Sequence, residues 1–153
     1  AKIKGLKLDK ANFSFVCNDL SHLSDYVKQI DSSTFKLLKR ALPGPYTFIL
    51  PGSNNLPKAF KKRKTVGIRI PDNNIMRKMV EQLGNPIATT SLHDDEDEIL
   101  DYFSDPYEIY ERYDSRIDLI IDGGHGSLEP STIIKCTDGN HELLRQGAGE
   151  IDL

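Results

Sequence analysis

The sequence predicts an α/β fold: a twisted, open, mixed sheet with flanking helices, formed as a single domain over residues 1–153. Three observations carry this expectation. A chain of 153 residues and 17.2 kDa suits one core and is short for two. Its 38% hydrophobic and 28% charged residues place it among globular proteins rather than disordered or fibrous ones. Strand-like runs alternate with helical patterns up to residue 91 and then follow one another after residue 119, which combines crossover connections with hairpins.

Residues 13–17, Phe-Ser-Phe-Val-Cys, form an aromatic and β-branched run between Asn12 and Asn18 and read as a strand. Asp19 reads as the N-cap of a helix with Leu20, Leu23, Tyr26, Val27 and Ile30 at helical spacing. A second helix follows Asp31-Ser32-Ser33, with Phe35, Leu38 and Ala41 on its inner face, and must stop at Pro43-Gly44-Pro45. Residues 46–50 are the next strand, ended by Pro51-Gly52, and residues 65–70 another, ended by Pro71. Asn73 or Asn74 then caps a helix with Ile75, Met79, Val80 and Leu83 inward, closed by Gly84 and Pro86. Residues 87–91 return as a strand. Residues 94–113 read as a polar excursion of one or two helices, with Asp105-Pro106 as a helix start. Residues 119–122, 131–136 and 141–145 read as three closing strands, separated by Gly123-Gly124, Gly126 and Asp138-Gly139 and followed by Gly147-Ala148-Gly149.

The formal net charge of −3 conceals a segregation along the chain. Residues 94–118 hold eleven acids against Arg112 and Arg116, a local −9; the remaining 18 basic and 12 acidic residues leave +6. That excess concentrates in Lys2, Lys4, Lys7 and Lys10 and in the run Lys58, Lys61, Lys62, Arg63 and Lys64. A segregated surface attracts polyanions through its local field whatever the total charge, although on sequence alone a solvated loop is the simpler account of each run. No run reaches the roughly twenty apolar residues of a membrane-spanning helix, no signal peptide is visible, and Cys17 and Cys136 read as buried thiols of a reducing compartment, so the cytoplasm is expected.

No zinc spacing, nucleophile elbow or phosphate-binding loop motif occurs, and no bound metal is expected from the four separated histidines. Polar residues at strand ends are more informative. Thr65 and Arg69 lie four apart in one strand and point to one face, with Val66 and Ile68 on the other. An arginine alternating with aliphatic residues needs an anion, which is either an internal carboxylate or a ligand. Ser91, Ser131 and Arg145 also sit at strand ends, and hydroxyls and guanidinium groups together suit phosphates and a carboxylate.

Six segments follow in an order and spacing that resembles the YrdC/YciO family: residues 42–50 (LPGPYTFIL), 65–71 (TVGIRIP), 86–91 (PIATTS), 118–124 (DLIIDGG), 130–134 (PSTII) and 144–149 (LRQGAG). The resemblance covers about residues 3–151. It implies an α/β twisted open sheet with a positively charged concave surface, and binding of tRNA or double-stranded RNA. Its best-known members are threonylcarbamoyl-adenylate synthases, which join threonine, bicarbonate and ATP into an intermediate used to modify adenosine 37 of certain tRNAs. Carried over by position, it implies that Lys4, Thr65 and Arg145 serve a nucleotide, and that Arg69, Ser91 and Ser131 hold a threonine-like substrate. ATP is the implied nucleotide, with magnesium allowed beside its phosphates; the basic run 58–64 is the implied RNA contact, and neither DNA nor a membrane is an expected partner. Two motifs depart from the synthases: Lys-x-Arg is Lys4-Gly5-Leu6 here, and Ser-x-Asn is Ser91-Leu92-His93. Together with the acidic insertion after Ser91 they resemble the YciO branch, whose membership implies RNA binding ahead of full synthase activity. The family's first strand and its Thr-x-Tyr-Gly-like segment are expected ahead of the residues given.

Overall fold

A computed structural model describes residues 13–57, 60, 63–91 and 103–153. The sheet has six strands in the order β4-β1-β3-β2-β5-β6: β1 Ser14–Val16, β2 Tyr46–Pro51, β3 Thr65–Arg69, β4 Ile87–Thr89, β5 Thr132–Thr137 and β6 Asn140–Arg145. The pairs β1/β3 and β2/β5 are parallel and the other three antiparallel, so the sheet is mixed as expected. The chain divides into two compact units. One comprises Asn12–Thr90 with Ser131–Leu153 and holds the whole sheet; the described part of Ser91–Pro130 falls in the other.

Alternation along the strands sorts the sheet unit into two faces. Phe15, Phe48, Leu50, Val66, Ile68, Ile134 and Cys136 point to one side, where Leu23, Leu37 and Leu38 pack on them in a single apolar cluster. The two helices contributing those leucines are α1, Leu23–Tyr26, and α2, Ser32–Ala41. The side chain of Asp31 caps α2 by accepting from the Thr34 amide. Thr34, Leu37 and Leu38 form its inner face, whereas Phe35, expected inside, is exposed with the Lys39 ammonium 5.9 Å from its ring. The buried stripe lies one position earlier, because Leu37 and Leu38 together outweigh a single aromatic.

The helix expected after Asp19 is only the one-turn α1. Asp19 accepts from the Ser21 amide in a turn ahead of it, and Val27 leaves the helix to bridge Gly52. A backbone bond from Lys28 to Pro51 holds that departure, so tertiary pairing overrides the helical spacing of Val27 and Ile30. Helix α3, Asn74–Leu83, is capped by Asn73 and ends at Gly84 with φ +70°, as its sequence predicts. Of its four expected inward residues Val80 is buried, while Ile75 and Leu83 are exposed.

The β5–β6 hairpin turns on Asp138 and Gly139, both at positive φ, the two-residue loop that matches strand twist. In the second unit Asp105 caps α4, Pro106–Tyr113, with proline in its first turn, and a 3-10 turn over Asp114–Arg116 follows. The strand expected over residues 119–122 is not formed: these residues pair with no strand among those described, and Leu119 is 75% and Ile121 50% exposed. Apolar composition alone does not make a strand; it needs a neighbour for its backbone groups. Residues 92–102, including the start of the acidic excursion, lie outside the described residues.

Candidate anion site at one end of the sheet

The second face of the sheet is where polar side chains gather. The register Phe48 with Ile68 brings Thr47 level with Arg69; Thr47 in turn faces Ile133, and Ile133 faces Arg145. Arg69, Thr47, Ile133 and Arg145 therefore form one row across β3, β2, β5 and β6, with the two arginines at its ends, roughly 14 Å apart at Cα for three strand spacings. Ser131, two residues before Ile133, points to the same face.

Hydrogen bonds define the group. Arg145 donates through Nε (3.1 Å) and Nη2 (2.8 Å) to the Ser131 carbonyl, and its Nη2 is 3.4 Å from Ser131 Oγ. That hydroxyl is 3.0 Å from Thr47 Oγ1. Arg69 differs: its Nε is buried and finds no hydrogen-bond partner among the described residues. Burial pulls the Arg69 pKa below its usual value, and the nearby Arg145 charge pulls it the same way. A guanidinium cannot shed its proton near neutral pH, so a buried, unpartnered donor beside a second cation is stabilised chiefly by an anion. A carboxylate or phosphate oxygen fits, because both offer acceptors only.

Of the residues singled out from sequence, Arg69, Ser131 and Arg145 thus come together. Thr65 does not join them: it starts β3 opposite Pro51, about 13 Å of strand from Arg69, and one ligand touching both must be long. Ser91 lies just past β4, is exposed and belongs to the other unit. Lys4, Lys58, Lys61 and Lys62 lie outside the described residues. Arg63 holds its guanidinium 5.9 Å from the rings of both Phe13 and Phe60, and Lys64 is exposed. Among the described residues no three His, Cys, Asp or Glu side chains gather as a metal site, and no helix is long and apolar enough to cross a membrane.

Two residues missed from sequence complete the site. Thr47 looks like filler in an apolar strand, and only its place on the face opposite Phe48 signals otherwise. Thr132, fully buried on the core face, organises the loop after Arg145: its hydroxyl donates to the Gly149 carbonyl (2.6 Å) and accepts from the Gly147 and Gly149 amides (both 3.0 Å). The Tyr46 ring lies against Gly149 so closely that a Cβ there would overlap it. Its hydroxyl donates to the Glu150 carbonyl at 2.7 Å. The chain leaving Arg145 is thereby tied to β2 and β5.

The family model for Sua5, YciO and YrdC, described as telomere recombination, matches residues 1–147. Escherichia coli YciO is 41% identical over 145 residues, 94% of this chain and 69% of that protein; its crystal structure superposes with a TM-score of 0.82 over 91% of this chain and 67% of its own. A threonylcarbamoyl-AMP synthase of Pyrococcus abyssi is 32% identical over 125 residues, covering 78% of this chain and 35% of the synthase. The structure of P. abyssi Sua5 complexed with L-threonine has a TM-score of 0.81 at 29% identity, covering 95% of this chain and 42% of that one.

Proposed function

Since the chain belongs to the Sua5, YciO and YrdC family, we propose that it is a YciO-type protein that binds the carboxylate of a threonine-like amino acid at Arg69, Arg145 and Ser131, in a cleft extended toward Thr65 for a nucleotide such as ATP, and engages tRNA or double-stranded RNA through its basic run. The observation that carries the proposal is the buried, unpartnered Nε of Arg69 beside Arg145. Relatives named threonylcarbamoyl-AMP synthases, and a Sua5 structure solved with L-threonine, support the choice of carboxylate. Titration calorimetry with L-threonine tests it: the wild-type protein should bind, and Arg69→Met should weaken binding at least tenfold, the loss expected of a charge-assisted bond. Equal affinities would overturn the assignment.

RNA engagement has its own test. Each phosphate neutralised by a lysine releases counterions, so log affinity should fall with log salt by about 0.7–0.9 per contact. Replacing Lys61, Lys62, Arg63 and Lys64 with alanine should weaken tRNA or duplex binding and flatten that slope, with threonine affinity unchanged. Arg63 is partly committed to Phe13 and Phe60, so the lysines should account for most of the slope. Unchanged RNA affinity across a salt series would reduce the run to a solvated loop.

Full synthase activity is the alternative; the retained Arg69, Ser91, Ser131 and Arg145 favour a small-molecule site of some kind. Leu6 and His93 stand where the synthase motifs have arginine and asparagine, and they favour the first reading. Pyrophosphate release from ATP with threonine and bicarbonate separates the two: it should be far below that of a dedicated synthase, and Leu6→Arg with His93→Asn should raise it.

A further inference from the structure

We infer that Thr47 is a positioning residue of this site: by donating to Ser131 it leaves the serine's own proton free for the bound carboxylate. The inference rests on the proposed carboxylate site and adds to it the reason for a hydroxyl in β2. Thr47 is 7% exposed, in the run Tyr46-Thr47-Phe48-Ile49-Leu50, where valine would satisfy both strand propensity and burial. A hydroxyl in so dry a place costs free energy unless it is bonded, and its side-chain bond is the 3.0 Å contact with Ser131.

Geometry alone leaves the direction of that bond open, because either hydroxyl can donate. Two neighbours decide it. Arg145 has only donors and already presents Nη2 to Ser131 Oγ, occupying one lone pair. A carboxylate or phosphate in the site has only acceptors. If Ser131 spent its proton on Thr47, a lone pair would face the anion. With Thr47 donating, Ser131 accepts from Thr47 and from Arg145 and points its hydrogen at the ligand, polarised by both.

A merely structural hydroxyl pair tying β2 to the start of β5 would cost stability whenever either partner is removed, and its effect on ligand affinity would not depend on the other. The positioning role predicts dependence, which a double-mutant cycle measures. L-Threonine affinity is taken by calorimetry for the wild-type protein, Thr47→Val, Ser131→Ala and the pair, with Thr47→Ala as a second probe and melting curves on each. Thr47→Val should weaken threonine about five- to tenfold when Ser131 is present and less than twofold when it is alanine, and Thr47→Ser should stay within twofold of wild type. Equal weakening in both backgrounds, or none with Ser131 in place, overturns the inference while leaving the carboxylate site standing. A wild-type protein that binds neither L-threonine nor inorganic phosphate overturns the proposed function and this inference with it.

Discussion

The two faces of the sheet are built from the same strands and made for opposite purposes. On one face Phe48, Ile68 and Ile134 are fully buried against α2 and hold no polar atom in need of a partner. On the other, Thr47 and Arg69, each one residue along from Phe48 and Ile68, and Ser131, just ahead of β5, are polar, and one Arg69 donor is left unmatched. A two-residue period lets neighbouring positions answer to different pressures, the first to packing and the second to a ligand. Stability should therefore be concentrated on one face and recognition on the other.

The sharpest way to break that contrast is to damage the packed face. Phe48→Ala should cost about 3–5 kcal/mol, from lost transfer and the cavity left behind, read from urea unfolding. A cost below about 1 kcal/mol would mean that the core is not centred on β2. Next in size is Thr132→Val, nearly isosteric. It removes the group that serves Gly147 and Gly149, and should cost about 1–3 kcal/mol, chiefly by leaving the buried Gly149 amide unmatched. Little change in the unfolding midpoint would show that the loop holds itself.

A smaller effect is expected in alkali. Burial raises the thiols of Cys17 and Cys136 from 9.0 to about 11, with Asp19 adding to the rise at the first and Asp31 at the second. Because the folded values are the higher ones, the contribution to stability is intact below pH 9, where both states are protonated. It declines as pH rises toward 11, while only the unfolded thiols ionise. Urea midpoints at pH 8 and 10.5 should therefore fall less in the Cys17→Ala, Cys136→Ala double variant than in wild type. Identical falls would assign the alkaline loss to other groups. The smallest change in stability belongs to Arg69→Met, even though it should abolish most threonine binding. Removing a half-buried guanidinium whose Nε has no partner among the described residues should leave the melting temperature unchanged or slightly higher. A drop comparable to that of Phe48→Ala would erase the distinction between the faces.

The strands were legible in the sequence because five of the six carry their own alternation or β-branched composition, and the caps at Asp31, Asn73 and Asp105 because each is a local event. What failed was non-local. Val27 leaves its helix for Gly52, far along the chain, and residues 119–122 look like a strand but pair with none described. The same limit applies to the site. Arg69 and Ser131 stood out as polar groups at strand ends. Thr47 did not, because its importance comes from Ser131, 84 residues away.

That separation has a consequence for how the protein is made. Thr47, Arg69 and Arg145 arrive from three strands and Ser131 from the residue just ahead of a fourth, and the last of them is eight positions from Leu153. Emerging from a ribosome, β2 and β3 can pair early through their antiparallel register, but the parallel β2/β5 joint has to wait for more than 80 residues of intervening chain. Until then Thr47 has no serine to meet and Arg69 no neighbouring cation. Ligand competence should therefore appear in one late step together with the closure of the sheet. In pulse-labelled refolding, the amides of Gly147 and Gly149 should gain protection at the same time as the first threonine is bound.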